Sequence, residues 1–235
     1  MKIAILGYGK MGKEIEKISL KKGHEVVLII DEKSDRKISK KVDVAINFCT
    51  PQTAYKNIHL ALSNNIPVVS GTTGWISNYP KIIELSRKKQ TGFLYSSNFS
   101  LGVNLFFELN KKLIKMMNNQ TDYKLSIDEV HHVEKKDRPS GTAIKLAEDI
   151  IENSKYKSWS NSKKNDSIFI KSLRKNNIPG THTVKYSSSI DEIKIIHKAN
   201  NRTGFAIGAV TAAEWIIGKK GVYGMNDVIK NIKFK

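Results

Sequence analysis

Apolar and polar positions along the chain repeat with two different periods. Residues 2–6, KIAIL, form a short apolar run that stops at a glycine. The following GYGKMGKEIEKISLKKGH places Met11, Ile15 and Ile18 at helical spacing before Gly23 closes the segment. EVVLII (25–30) is β-branched and apolar, predicts a strand buried on both faces, and ends at Asp31. The alternation then continues: VDVAINF (42–48) as a strand, 51–64 as a helix, IPVVS (66–70) as a strand, a helix around 81–88, and GFLYS (92–96) as a strand. Apolar strands separated by helices predict an α/β domain, a Rossmann-type parallel sheet with helices on both faces, over residues 1–98.

The pattern changes after NFSLG. Residues 103–117 read as a helix, and then Tyr123, Leu125 and Ile127 alternate with polar partners through 121–130, the mark of a sheet with one wet face. SIFIKSL (167–173), THTVKY (181–186) and DEIKIIHKA (191–199) are further strands, the last two joined by SSSI as a hairpin. Residues 99–203 are therefore predicted to form a second, α+β domain with a mostly antiparallel sheet. FAIGAVTAAEWII (205–217) reads as a helix rich in small residues that returns the C-terminal 204–235 to the first domain. The polar NSKYKSWSNSKKND (153–166) is expected to be a mobile loop, and no internal repeat is visible.

Composition narrows the function classes. With 235 residues and 40% hydrophobic positions the chain can build a real core. No run reaches the roughly 18 apolar residues of a membrane span, and the N-terminus lacks the apolar core and cleavage site of a secretory signal. A soluble, cytoplasmic protein is the expectation. The net charge of +18 would suit nucleic acid, but only five basic residues are arginine (36, 87, 138, 174, 202) and the lysines scatter along the whole chain. The expected partners are small anions such as dinucleotides and dicarboxylates, with no nucleic acid and no membrane. The single cysteine, Cys49, follows the apolar run VDVAINF and is predicted to be a buried, inert thiol inside a strand.

Gly7-Tyr8-Gly9-Lys10-Met11-Gly12 fits G-x-G-x-x-G where the first strand becomes the first helix. Gly7 allows the tight turn, Gly9 lets the backbone approach a pyrophosphate, and Gly12 allows close packing of helix on strand. The phosphates would rest on the helix N-terminus. Asp31, 19 residues beyond Gly12, stands where a carboxylate accepts the ribose hydroxyls, which favours NADH; the nearby Lys33 and Arg36 offset repulsion of a 2′-phosphate, so NADPH is also expected to be accepted. Gly71, Thr72 and Thr73 follow one predicted strand and Ser96, Ser97, Asn98 and Phe99 another, which aims both loops at the nicotinamide half of the cofactor.

EVHHVEKKDRPSGTA (129–143) carries a second constellation. Pro139 takes the chain out of regular structure, and Ser140 begins a helix whose first turn offers the N–H groups of Gly141 and Thr142 to a carboxylate. His131, His132 and Lys135 beside it indicate a carboxylate-bearing substrate that needs a proton. A metal is not expected, because the adjacent histidines lack the spacing of two ligands on one helix face and no cysteine is near.

These segments resemble the 4-hydroxy-tetrahydrodipicolinate reductase family. The resemblance runs the length of the chain, in the family's order: GYGKMG, SGTTGW, SSNFSLGVN, HHVEKKDRPSGTA, IPGTHTV and HKANNRTGFAIGAVTAAEW. It implies a NAD(P)H-dependent reductase of a cyclic dicarboxylate in lysine and diaminopimelate biosynthesis, typically a homotetramer formed through the sheet of the second domain. It further implies His131 as proton donor and acceptor, Lys135 as proton donor, His132 as a substrate contact, and Gly141 with Thr142 as the carboxylate holders. The glycine-rich turn, Asp31 and the two strand-end loops match the cofactor contacts. Val133 and Glu134 stand where many members carry basic residues, Arg138 where a small residue is common, and Thr181 where glutamate is frequent. The 153–170 stretch is also short for the family. A rival reading, aspartate-semialdehyde dehydrogenase, needs a thiolate acyl carrier, and a strand-bound Cys49 is poorly placed for that role.

Overall fold

The computed structural model describes residues 1–31, 34, 37, 38, 41–164, 166–201 and 203–231. The chain divides into two compact units, the first comprising residues 1–104 together with the chain from Thr203 onward, the second the stretch beginning at Leu105. In chain order the elements are β1 (Lys2–Leu6), α1 (Lys10–Lys21), β2 (Glu25–Ile30), β3 (Val44–Asn47), α2 (Pro51–Ser63), β4 (Val68–Ser70), α3 (Tyr79–Lys89), β5 (Gly92–Tyr95) and α4 (Leu101–Met117). They continue with β6 (Lys124–His131), α5 (Gly141–Glu152), β7 (Ser158–Ser160), β8 (Ser167–Arg174), β9 (Gly180–Ser187), β10 (Glu192–Ala199), α6 (Thr203–Ile216), β11 (Gly221–Tyr223) and α7 (Met225–Asn231).

The first unit holds a six-stranded parallel sheet in the order β11-β5-β4-β3-β1-β2. Alternate residues of β1 feed opposite cores. Ile3 and Ile5 pack with Ile15 of α1 and with Ala209, Val210 and Ala213 of α6, whereas Ala4 and Leu6 pack with Ala54, Ile58 and Leu62 of α2. Helices on both faces are what keep β1, β3 and β4 apolar at nearly every position. The small residues of α6 serve close approach: a Cβ on Gly208 would fall 1.7 Å from the carbonyl oxygen of Phe99.

Two expectations from the apolar pattern need correction here. EVVLII does form β2, but at the edge of the sheet, so only Ile30 is buried and the remaining positions are half-buried or exposed. Cys49 is not inside a strand; it lies just past β3, half-buried, with its thiol 3.1 Å from Asn47 Oδ1. The C-terminal β11 and α7, which carry no strong periodic signal, complete the parallel sheet and its helical cover.

The second unit holds a five-stranded mixed sheet in the order β10-β9-β6-β8-β7. β10, β9 and β6 pair antiparallel, with β9 and β10 joined as the predicted hairpin, while β8 joins β6 and β7 joins β8 in parallel. The segment expected to be a loop, 153–166, thus contributes edge strand β7, whose three residues are too few to announce themselves by alternation. Along β6 the buried face runs Leu125, Ile127, Glu129, His131, apolar for its first half and polar for its second.

Candidate active site

The glycine-rich turn of the first unit lies where strand order reverses, between β1 and β3. In a doubly wound sheet a crevice opens at that point. Gly7 has φ +102°, and a Cβ there would sit 2.3 Å from the carbonyl oxygen of Phe48. A Cβ on Gly12 would meet the Gly7 carbonyl oxygen at 2.3 Å. Gly9, by contrast, caps α1 without a side-chain bond, and a Cβ on it would meet nothing within 4 Å. Two glycines are thus required by packing, while the third leaves open space over free helix N–H groups, the arrangement a pyrophosphate needs. Tyr8 turns its hydroxyl to Glu16, and Lys10 and Met11 begin α1.

The other strand ends fall at the same carboxyl edge. Asp31 follows β2, exposed, and its carboxylate accepts from Ser34 Oγ at 2.8 Å. Lys33 and Arg36 lie outside the described residues. Thr72 is buried after β4, where its hydroxyl accepts from the Cys49 N–H at 2.9 Å and from Asn47 Nδ2 at 3.3 Å; Gly71 beside it packs on the Phe48 ring, and Thr73 is exposed. After β5, Ser96 Oγ donates to the Asn98 carbonyl at 2.8 Å, and Asn98 Oδ1 accepts from the Ser100 N–H at 2.9 Å, so this loop holds its own shape, with Ser97 exposed at its tip. Phe99 is only 1% exposed and packs edge-on against Phe48, which leaves its backbone as the part able to meet a ligand.

In the second unit β6 delivers His131 at its final position, 6% exposed. Its Nδ1 is hydrogen-bonded to Glu129 Oε2, two residues back on the same face. Glu129 Oε1 accepts from Arg174 Nη1 at 2.8 Å. Burial alone would raise the Glu129 pKa, but hydrogen bonds from His131 and Arg174 outweigh it and bring the value down to about 2. His182, opposite Glu129 in the β6–β9 ladder, stacks edge-on with His131 at 4.9 Å, and burial together with the His131 charge lowers its pKa to about 3. Its Nε2 is 3.0 Å from Ser140 Oγ, while Ser140 also caps α5 by accepting from the Ala143 N–H at 3.3 Å. Gly180 makes room for the imidazole: a Cβ there would lie 3.0 Å from His131 Nε2.

Hydrogen bonds and the His131–His182 ring contact thus join Glu129, His131, His182 and Ser140 to the helix start where Gly141 and Thr142 present their N–H groups. His132 follows, half-buried, and its carbonyl oxygen accepts from the Lys135 N–H at 3.2 Å. The Lys135 ammonium pairs with Asp137 at 2.8 Å, and burial of the Asp137 carboxyl is outweighed by that cation, so its pKa is lowered. Val133, Glu134, Lys136 and Arg138 are exposed, and the Arg138–Pro139 peptide is cis. Glu129, His131 and His182 each place a donor atom within 4.8 Å of the others. Because Glu129 is already held between His131 and a buried guanidinium, the trio is better suited to handling protons than to holding a cation.

Sequence reasoning missed Glu129, Arg174, Gly180 and His182. The signal for Glu129 was present in the two-residue strand period, which puts it on the face of His131. Gly180 and His182 lie within the quoted IPGTHTV. Nothing local ties Arg174 to a carboxylate 45 positions earlier.

Comparisons with known proteins identify the family of the chain. The family model described as dihydrodipicolinate reductase, N-terminus, matches residues 1–99, and that described as dihydrodipicolinate reductase, C-terminus, matches residues 102–229. A 4-hydroxy-tetrahydrodipicolinate reductase of Christiangramia forsetii is 50% identical over 236 residues, covering 99% of each chain. The chain belongs to the dihydrodipicolinate reductase family. Another relative, the 4-hydroxy-tetrahydrodipicolinate reductase of Thermosipho africanus, is 37% identical over 98% of each chain. A solved structure of dipicolinate-bound dihydrodipicolinate reductase from Paenisporosarcina sp. TG-14 shares the fold, with a TM-score of 0.80 at 24% identity over 97% of this chain and 98% of that one. Membership of the dihydrodipicolinate reductase family, together with the Rossmann-type sheet, indicates an oxidoreductase that uses a nicotinamide dinucleotide. Among the described residues no helix is long and apolar enough to cross a membrane.

Proposed function

We propose that this chain catalyses the NAD(P)H-dependent reduction of 4-hydroxy-tetrahydrodipicolinate to tetrahydrodipicolinate in lysine and diaminopimelate biosynthesis. The observation that carries the reading is the chain of contacts from His131 through His182 and Ser140 to the start of α5. It supports a reading in which the imidazole handles the proton and the helix N-terminus binds a carboxylate as one group.

The nicotinamide dinucleotide, when bound, supplies the hydride. The first unit is the dinucleotide-binding domain: Gly7–Gly12 and the first turn of α1 receive the pyrophosphate, Asp31 accepts the ribose hydroxyls, and the Gly71–Thr73 and Ser96–Phe99 loops contact the nicotinamide half. The carboxylate at 31 favours NADH, with NADPH also accepted. The second unit binds the substrate. His132 and the N–H groups of Gly141 and Thr142 hold its carboxylates, and Lys135 with His131 delivers a proton to the ring atom that gains electron density as hydride arrives. Glu129 holds the His131 ring in one orientation. Edge strand β10 exposes Ile196 at 60% and Ile193 at 37%, which supports a homotetramer assembled through this sheet. The cytoplasm is the expected location.

A coupled assay tests the reading: the upstream synthase is supplied with pyruvate and aspartate semialdehyde, and NADH consumption is followed. Oxidation dependent on this chain is expected, and its absence rejects the reaction. Catalytic efficiencies with NADH and NADPH are then compared, and a strong NADPH preference contradicts the role given to Asp31.

A further inference from the structure

Arg174 ends β8 with its side chain only 3% exposed, and its guanidinium makes bonds in four directions. Nη1 donates to Glu129 Oε1 at 2.8 Å and to the Leu173 carbonyl at 2.7 Å; Nε donates to the Lys135 carbonyl at 3.1 Å, and Nη2 to the Asp137 carbonyl. The next residue continues the clamp, the Lys175 N–H donating to the His131 carbonyl at 2.8 Å. One buried cation therefore grips both the carboxylate that orients His131 and the backbone on which Lys135 is mounted. A planar fork of five donors can satisfy a carboxylate and several carbonyls at once, whereas an ammonium with three donors at one point cannot span them.

We propose that Arg174 is a positioning residue that fixes His131 and Lys135 relative to one another so that both address the same proton-accepting atom of the substrate. The inference rests on the roles given above to His131 and Lys135. Lys135 stands in an irregular loop after the strand, and among the described residues no ladder hydrogen bond of the sheet holds it. Its backbone is held instead by Arg174 and by its own turn to His132. Loss of that grip lets the loop drift, and a displacement on the order of 1 Å can cost as much as about 100-fold in rate.

The test uses the full chain in the coupled assay, with wild type, Arg174→Lys and Arg174→Ala. Wild-type turnover comes first: its absence rejects the reaction itself and is thereby distinguished from failure of the positioning role. Arg174→Lys keeps the charge and loses the fork, and its kcat is expected to fall about tenfold or more while the KM for NADH, set in the other unit, stays within about twofold. Arg174→Ala is expected to fall further and to recover activity when guanidinium is added at millimolar concentration, but not with ammonium at the same concentration. Wild-type kcat in a folded Arg174→Lys protein overturns the proposal. So does a lysine variant whose activity falls only in proportion to its folded fraction by circular dichroism. If Arg174→Ala does not fold, the kcat and KM of Arg174→Lys alone decide.

Discussion

Removing the two partners of the Glu129–Arg174 ion pair should have strongly non-additive costs, the double change destabilising the chain by less than the two single changes summed. The two side chains are 0% and 3% exposed and meet at 2.8 Å. The fall of the Glu129 pKa from its usual 4.5 to about 2 corresponds, at about 1.4 kcal/mol per pH unit, to roughly 3 kcal/mol of stability when the group is ionised. Glu129→Gln leaves a buried guanidinium without its counter-charge, and Arg174→Met leaves a buried carboxylate without its guanidinium, hydrogen-bonded to His131. Each single change is expected to cost about 3–5 kcal/mol. The double variant buries no uncompensated charge, so its loss should fall short of the sum of the two by about 2–3 kcal/mol. Urea unfolding of the four proteins at pH 7 measures this coupling. The pH dependence has a defined sign: a depressed carboxylate pKa gives a contribution that is complete above about 4.5 and disappears as pH falls through about 2. The lead of wild type over the double variant should therefore shrink across that window. Additivity of the single changes within about 0.5 kcal/mol would refute the claim that these groups compensate one another.

Gly12→Ala and Gly9→Ala should separate packing from ligand binding. The first drives a Cβ into the Gly7 carbonyl and is expected to lose about 1–3 kcal/mol of stability, while the second should leave the melting temperature unchanged and raise the KM for NADH; equal melting temperatures for both variants would contradict this. Lys135→Ala should lower kcat by about 100-fold or more, and a kcat close to wild type would mean that another group donates the proton. His182 makes the fold acid-sensitive in a second window: with a folded pKa near 3 and an unfolded one near 6.5, the folded state binds fewer protons, so stability declines as pH drops from about 6.5 toward 3. His182→Gln should flatten melting temperature against pH over that range, and an unchanged slope would exclude His182 as its source.

The sequence by itself determined most of the elements and the glycine-rich turn, because both are decided over short distances. KIAIL becomes β1 without adjustment, and Ser140 caps α5 where the pattern placed its start, since strand period, helix period and capping depend on neighbours a few residues away. Gly7 and Gly12 were legible for the same reason: the contacts that forbid a Cβ there lie within one strand, turn and helix and at the end of the adjoining strand. Tertiary structure alone decided which strands became neighbours. EVVLII was read as doubly buried because its residues are apolar, but cover of both faces thins out at a sheet edge, and among the described residues β2 is the edge strand. The cluster proposed to handle protons divides along the same line. His131, Lys135 and the SGT helix start stand together in one stretch of chain, whereas His182 arrives on antiparallel β9 and Arg174 on parallel β8. Those pairings depend on backbone hydrogen bonds between strands far apart in sequence, and no local period encodes them.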